Sequence, residues 1–194
     1  SRTVLDLCGG TGSWSRPYAE AGYEVIVVTL PEQDVRTYVP PKDVWGVLAA
    51  PPCTDLSSSG ARWFAAKGPD ALTAALAIAD ACLRITMICQ PRWWALENPV
   101  GRLSRYYGPP ALWFHPWQYG DPYTKKTGLW GRFTAPAPSV LEPPIERDPR
   151  DVSPTHNAPR RKMSYIHDLP PSADRAMLRS ITPPGFARAF FEAN

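Results

Sequence analysis

Thr3-Val4-Leu5-Asp6-Leu7-Cys8-Gly9-Gly10-Thr11-Gly12-Ser13-Trp14 is the stretch on which the fold turns. Its first six residues form an almost unbroken apolar run, the pattern of a strand buried on both faces between helices. The glycines that follow allow a tight turn, and a helix is predicted from there through Ala21. Strand, glycine turn and helix in that order open a Rossmann-like α/β fold with a doubly wound, mostly parallel sheet. There, backbone N–H groups and a helix N-terminus face a ligand placed beyond the strand ends. A dinucleotide fingerprint needs a third glycine where Ser15 stands, which disfavours NAD.

The composition agrees with one such domain. The chain has 194 residues, 44% hydrophobic and 20% charged, enough for a single core. No apolar run of membrane-spanning length and no basic-then-apolar leader is read, so no membrane partner and a cytoplasmic, bacterial or phage-type intracellular protein are expected. Cys8, Cys53, Cys82 and Cys89 include no CxxC pair, and His115, His156 and His167 are scattered. That excludes a structural zinc site and a disulfide framework, so no metal is expected. The net charge of +3 permits a polyanionic partner without demanding one.

Outward from the opening, Glu24 to Leu30 reads as a second buried strand, with Thr29 and Leu30 at the tip where an acid usually holds ribose hydroxyls. Asp34 follows, either a surface turn aspartate or an acceptor for an adenine amino group. A third strand, Val44 to Ala49, delivers the chain to Ala50-Pro51-Pro52-Cys53-Thr54. The prolines fix their own φ and restrict the residues before them, which leaves Cys53 on a stiff turn. A cysteine there is a packing residue or a held nucleophile. The polar loop Thr54 to Gly60 is a plain surface loop or one that closes over substrate and contacts phosphates. A core helix is predicted over Asp70 to Met87, with Cys82 and Cys89 as packing residues. A fourth strand, Arg92 to Leu96, ends at Glu97, on the rim that also carries Gly10 and Cys53.

The glycine turn Asp6 to Gly12, the turn Pro51-Pro52-Cys53, Glu97-Asn98 and Thr182-Pro183-Pro184-Gly185-Phe186-Ala187-Arg188-Ala189 together resemble the ordered motifs of cytosine carbon-5 DNA methyltransferases. The likeness runs over essentially the whole chain. It implies the class I methyltransferase fold, S-adenosylmethionine or a close sulfonium analogue as donor, and DNA with a flipped cytosine as partner. In the catalytic set it implies Cys53 as the thiolate that adds to carbon 6, Glu97 at N3, and Lys125 in the basic segment that borders the base pocket. Asp6, Cys8, Gly10, Gly12, Ser13, Trp14, Thr29, Asp34, Pro51 and Thr182 would hold the cofactor. Ser57, Ser58, Lys126, Arg160, Arg161 and Lys162 would meet the nucleic acid.

Departures from that pattern are equally specific. Cys8 stands where the family has an aromatic, Thr54 where glutamine follows the cysteine, and Pro99 after Asn98 where valine is usual. Lys125 replaces an arginine, keeping charge but losing the bidentate fork, and Tyr123 replaces a glutamine. Residues 1–133 are expected to form the catalytic core, 134–179 a short proline-rich recognition region, and 180–194 a helix returning to the core. Between Pro122 and Arg179 there are ten Lys/Arg and six Asp/Glu, a difference of +4, with Arg160-Arg161-Lys162 the densest cluster. Those three are a solvated basic turn or a phosphate contact. A monomer is expected, with a partner subunit allowed for target recognition. The same chemistry on tRNA, a modified sulfonium donor, and a non-catalytic DNA-binding relative stand as alternatives.

Overall fold

The computed structural model describes residues 2–143, 166 and 169–194. Among these, six strands form one mixed sheet: β1 (Thr3–Leu7), β2 (Glu24–Val28), β3 (Val44–Ala49), β4 (Trp93–Pro99), β5 (Leu112–Phe114) and β6 (Thr127–Arg132). Their order is β2-β1-β3-β4-β6-β5. β1 to β4 run parallel to one another, and β6 runs antiparallel to both β4 and β5. The helices are α1 (Arg16–Glu20), α2 (Phe64–Cys89), α3 (Leu103–Tyr107), α4 (Arg175–Ser180) and α5 (Pro184–Ala193).

The pleat sorts the strand residues onto two cores, because successive side chains point to opposite faces. Leu5, Leu7, Val47, Ala49 and Leu96 pack with α2 and α3 through Ala79, Cys82, Ile85 and Leu103. Val4, Leu48, Trp93, Ala95 and Leu129 pack on the other face with Tyr18 of α1 and Phe186 and Phe190 of α5. Helices therefore cover both faces. The second face is aromatic: Phe114 stacks on Phe186 with centroids 3.9 Å apart, and Tyr18 on Trp93 at 5.2 Å.

Several local expectations are corrected. β2 is half-buried along most of its length because it forms the sheet edge. α1 ends at Glu20, the chain from Gly9 to Ser15 being spent on turns. α2 reaches from Phe64 to Cys89 with a break at Gly68, whose φ of 70° and the following Pro69 interrupt the helix. Taken with the turn before it, α2 has the length and composition of a membrane span, a test that the core helix of a globular protein also passes. Its Ala79, Cys82, Ile85 and Cys89 are buried against the sheet.

β4 is longer than its apolar run because β6 pairs with it as far as Pro99 opposite Thr127. Its pairing with β3 stops earlier, at Ala49 opposite Leu96. Pro51 and Pro52 have no N–H to offer a ladder, so β3 peels away where β4 continues. The gap between the departing Pro51-Pro52-Cys53 turn and Glu97 is where the candidate site lies.

Candidate active site

The gap is held open by specific bonds. Asn98, fully buried, donates from Nδ2 to the Pro51 carbonyl at 3.0 Å and so ties the turn back to β4. The Cys53 carbonyl accepts from the N–H of Leu56 at 3.0 Å and of Ser57 at 2.7 Å, which folds the following loop beneath the thiol. Ser57 then bridges to Gly101, where a β-carbon would lie 2.0 Å from the Leu56 carbonyl oxygen. Only glycine allows β4's exit to pass this closely.

A small pocket of about 50 Å³ opens in the gap, lined by Asp6, Gly10, Pro51, Cys53, Glu97, Lys125 and Thr182 among others. Burial pushes the Cys53 thiol above its ordinary range; Lys125 pulls it back, Glu97 raises it again and Arg179 lowers it. Glu97 keeps an open face on the pocket, yet desolvation raises its carboxyl, opposed by Lys125. Lys125 is anchored by donating from Nζ to the Arg179 carbonyl at 2.8 Å. A thiol, a carboxyl group and a cation thus share one pocket. Such a set suits nucleophilic addition to an electron-poor ring whose developing charge takes up a proton.

Beside it lies a crevice of about 740 Å³ that reaches from Cys53 to Thr29 and Asp34. The glycine turn forms its inner wall. Cys8, Gly10 and Gly12 all have positive φ, at 56°, 54° and 71°. A β-carbon on Gly9 would sit 2.5 Å from the Asp6 carboxyl carbon, whereas one on Gly10 would meet nothing within 4 Å. The Asp6 carboxylate is fully buried, accepts the Ser15 hydroxyl at 2.6 Å, and leaves Oδ1 without a hydrogen-bond partner among the described residues. Desolvation raises its pKa to about 6, against the lowering effect of Ser15.

The residues picked from sequence divide into groups. Gly10, Cys8, Thr29, Asp34, Pro51, Cys53, Glu97, Lys125 and Thr182 line the pocket or the crevice. Cys8 also packs against the core that contains the buried Cys82 of α2. Asp34 faces Arg36, Oδ2 to Nη2 2.6 Å, which holds its carboxyl down at about 2. Ser13 turns away and donates to the Thr182 carbonyl at 2.7 Å, binding the carboxyl-terminal segment to the glycine turn. Gly12 lies behind it, close to Val27. Trp14 is only 1% exposed, with its ring 5.5 Å from Phe190 and 6.0 Å from Phe186, so it belongs to the α5 core and not to the crevice. Ser57 lines the crevice but is buried with its hydroxyl on Ser59, and Ser58 donates to the Val100 carbonyl. The Lys126 ammonium stands over Trp113 at 5.0 Å, outside the crevice. Arg160, Arg161 and Lys162 lie outside the described residues.

The structure adds residues that sequence inspection passed over. Asp121 accepts from the N–H groups of Gly185 and Phe186, both at 3.2 Å, and so caps α5 from a distant loop. Arg179 and Ser180 of α4 border the site, the one lining the crevice with Cys53 and the other both cavities. Nothing local marks Arg179 except its place just before Ile181-Thr182.

No protein-family model matches the chain, and no curated protein matches it. Among solved structures, the chain is similar to that of a prophage-encoded E. coli protein provisionally described as a DNA modification methyltransferase, with a TM-score of 0.52 at 16% identity. The match covers 74% of this chain and 52% of the other, so the chain spans about half that protein's length. At that identity the likeness is one of fold: the chain shares its α/β architecture with a protein described as modifying DNA.

Proposed function

We propose that the chain is a Rossmann-like methyltransferase that methylates carbon 5 of cytosine in DNA from S-adenosylmethionine. The observation that carries this reading is the meeting of Cys53, Glu97 and Lys125 in one pocket beside the glycine-turn crevice. The fold similarity to a protein described as a DNA modification methyltransferase supports it, as do the four motifs in register.

The residues present fit the donor. The unpartnered Asp6 oxygen offers a buried anion to its cationic amino-acid end, and the open space over Gly10 leaves room for a ligand against the backbone. Thr29 and Asp34, the latter paired with Arg36, line the far end of the crevice, where the nucleoside would lie. Bound S-adenosylmethionine supplies an electrophilic methyl group. The chain's own residues do the rest. The Cys53 thiolate forms a bond to carbon 6 of the ring while Glu97 holds a proton at N3, so the electron pair displaced from the ring's 5,6 double bond is available at carbon 5. Lys125 favours the thiolate, which needs a nearby positive charge because a free thiol titrates near ~8.5. Once carbon 5 has taken the methyl group, loss of its proton restores the double bond and expels Cys53. The base must leave the helix stack to reach the pocket, at a cost of about a few kcal/mol.

Incubation with donor and an oligonucleotide carrying 5-fluorocytosine tests this, since the missing proton blocks the last step. A covalent complex is expected for the wild type, none for Cys53→Ser, and at least a tenfold slower one for Glu97→Gln, on the order of what general acid assistance contributes. A complex that persists in Cys53→Ser overturns the assignment.

A further inference from the structure

The mouth of the crevice carries a second set of groups that the chemistry above leaves unused. Trp63 closes the 3-10 turn Ser58–Trp63, lines the crevice and is 54% exposed. The Arg62 guanidinium stands 5.1 Å from the centroid of its ring. From the opposite wall α4 brings Arg175 and Arg179 to the same space. The walls touch where Arg179 Nη2 donates to Ser59 Oγ at 3.3 Å.

The charge of this space is one-sided. Among the described residues, Arg36, Arg62, Lys67, Lys125, Arg175 and Arg179 line it against one carboxylate, Asp34, a difference of +5. Arg36 is engaged by Asp34 and Lys67 by Asp55, each at 2.6 Å, and Lys125 lies at the reaction end. The excess therefore falls at the mouth, on Arg62 and Arg175. An open indole among guanidinium groups is the combination that receives unpaired nucleotides: bases stack on the ring and phosphates meet the cations, with little dependence on sequence.

We propose that Trp63 stacks on a base next to the target base of an unpaired DNA strand, while Arg62 and Arg175 hold the flanking phosphates. This rests on the reading that the crevice takes DNA, and it makes a single strand, or a duplex already opened at the target, the preferred form. A paired base hides its faces in the helix. Arg179 and Ser59 bridge the mouth, which suits a single strand and not a duplex.

Titration of the full chain with a dye-labelled oligothymidine, followed by anisotropy without donor, tests it. Trp63→Ala is expected to weaken binding about tenfold, within the range for one stacked base, and Trp63→Phe to retain most of the affinity. Arg62→Gln and Arg175→Gln should each flatten the dependence of log K on log salt by roughly 0.7. A blunt duplex of the same length should bind more weakly than the single strand. Wild-type affinity in Trp63→Ala, equal loss in Trp63→Phe and Trp63→Ala, an unchanged salt slope, or a preference for duplex each overturns the proposal. Oligothymidine contains no cytosine, so this result stands apart from the 5-fluorocytosine adduct. Adduct formation with unimpaired Trp63→Ala binding removes the stacking site alone, and loss of the adduct with weakened Trp63→Ala binding removes the cytosine chemistry alone.

Discussion

At the closed end of the crevice, Asp6, Cys53 and Glu97 ride on β1, on the turn after β3 and on β4, and backbone pairing across the sheet sets where each one stands. At the mouth, Arg62 and Trp63 sit on a 3-10 turn and Arg175 and Arg179 on a six-residue helix, and the two walls meet through Arg179 and Ser59. The first region is rigid because moving any of its groups would break ladder bonds and buried contacts. The second is set by side chains at the surface, where most substitutions change stability little. The division suits a transferase. Reacting groups have to be aligned before the reaction starts, whereas a strand of varied sequence needs a surface that adjusts.

Asp6 should give the largest stability effect. Its carboxyl keeps a proton in the folded chain up to about pH 6, against 3.8 ordinarily. Folding therefore takes up a proton between these values. The group costs nothing below the unfolded pKa, its cost grows as pH rises through the window, and it is complete above pH 6. Two pH units correspond to roughly 3 kcal/mol. In Asp6→Asn, the fall in unfolding free energy between about pH 4 and pH 7 should shrink by that order in urea titrations. An unchanged slope would assign the pH dependence to another group. The same variant should bind donor more weakly, because it removes the buried anion.

Asn98 comes next. Asn98→Ala leaves the Pro51 carbonyl buried without its donor, which costs on the order of 2 kcal/mol and lowers the melting temperature by roughly 4–8 °C. A shift of under about a degree would show that the turn is held by its backbone bonds alone.

The closed end was legible in the sequence for a physical reason. Parallel strands buried on both faces write themselves as apolar runs, and glycine and proline mark the turns that follow, so the sequence alone places Gly10, Cys53 and Glu97 on one rim. Where the pattern misled, a tertiary partner decided. Trp14, next to the turn in sequence, is drawn to the other face by Phe186 and Phe190. β4 outran its apolar segment because β6 came to pair with it. The mouth had no such signature, since neither the exposure of Trp63 nor the approach of Arg179 to Cys53 follows from any local period. Asp121 reaches α5 from another part of the chain, and spacing along the sequence contains nothing of that contact.

The smallest effect joins the two regions through the Cys53 thiol. Alkylation by iodoacetamide, followed across pH by mass spectrometry of the Cys53 peptide, reports the thiolate fraction. Lys125→Gln removes the strongest lowering influence, so its midpoint should move up. Glu97→Gln removes a negative neighbour and should move it down. Arg179→Gln should also move it up, by less than Lys125→Gln, because its influence ranks below those of Lys125 and Glu97. A larger shift for Arg179→Gln than for Lys125→Gln would mean that the mouth, and not the strand ends, governs the nucleophile. The contrast between a rigid reactive end and an adjustable entrance would then fail at the residue that touches both.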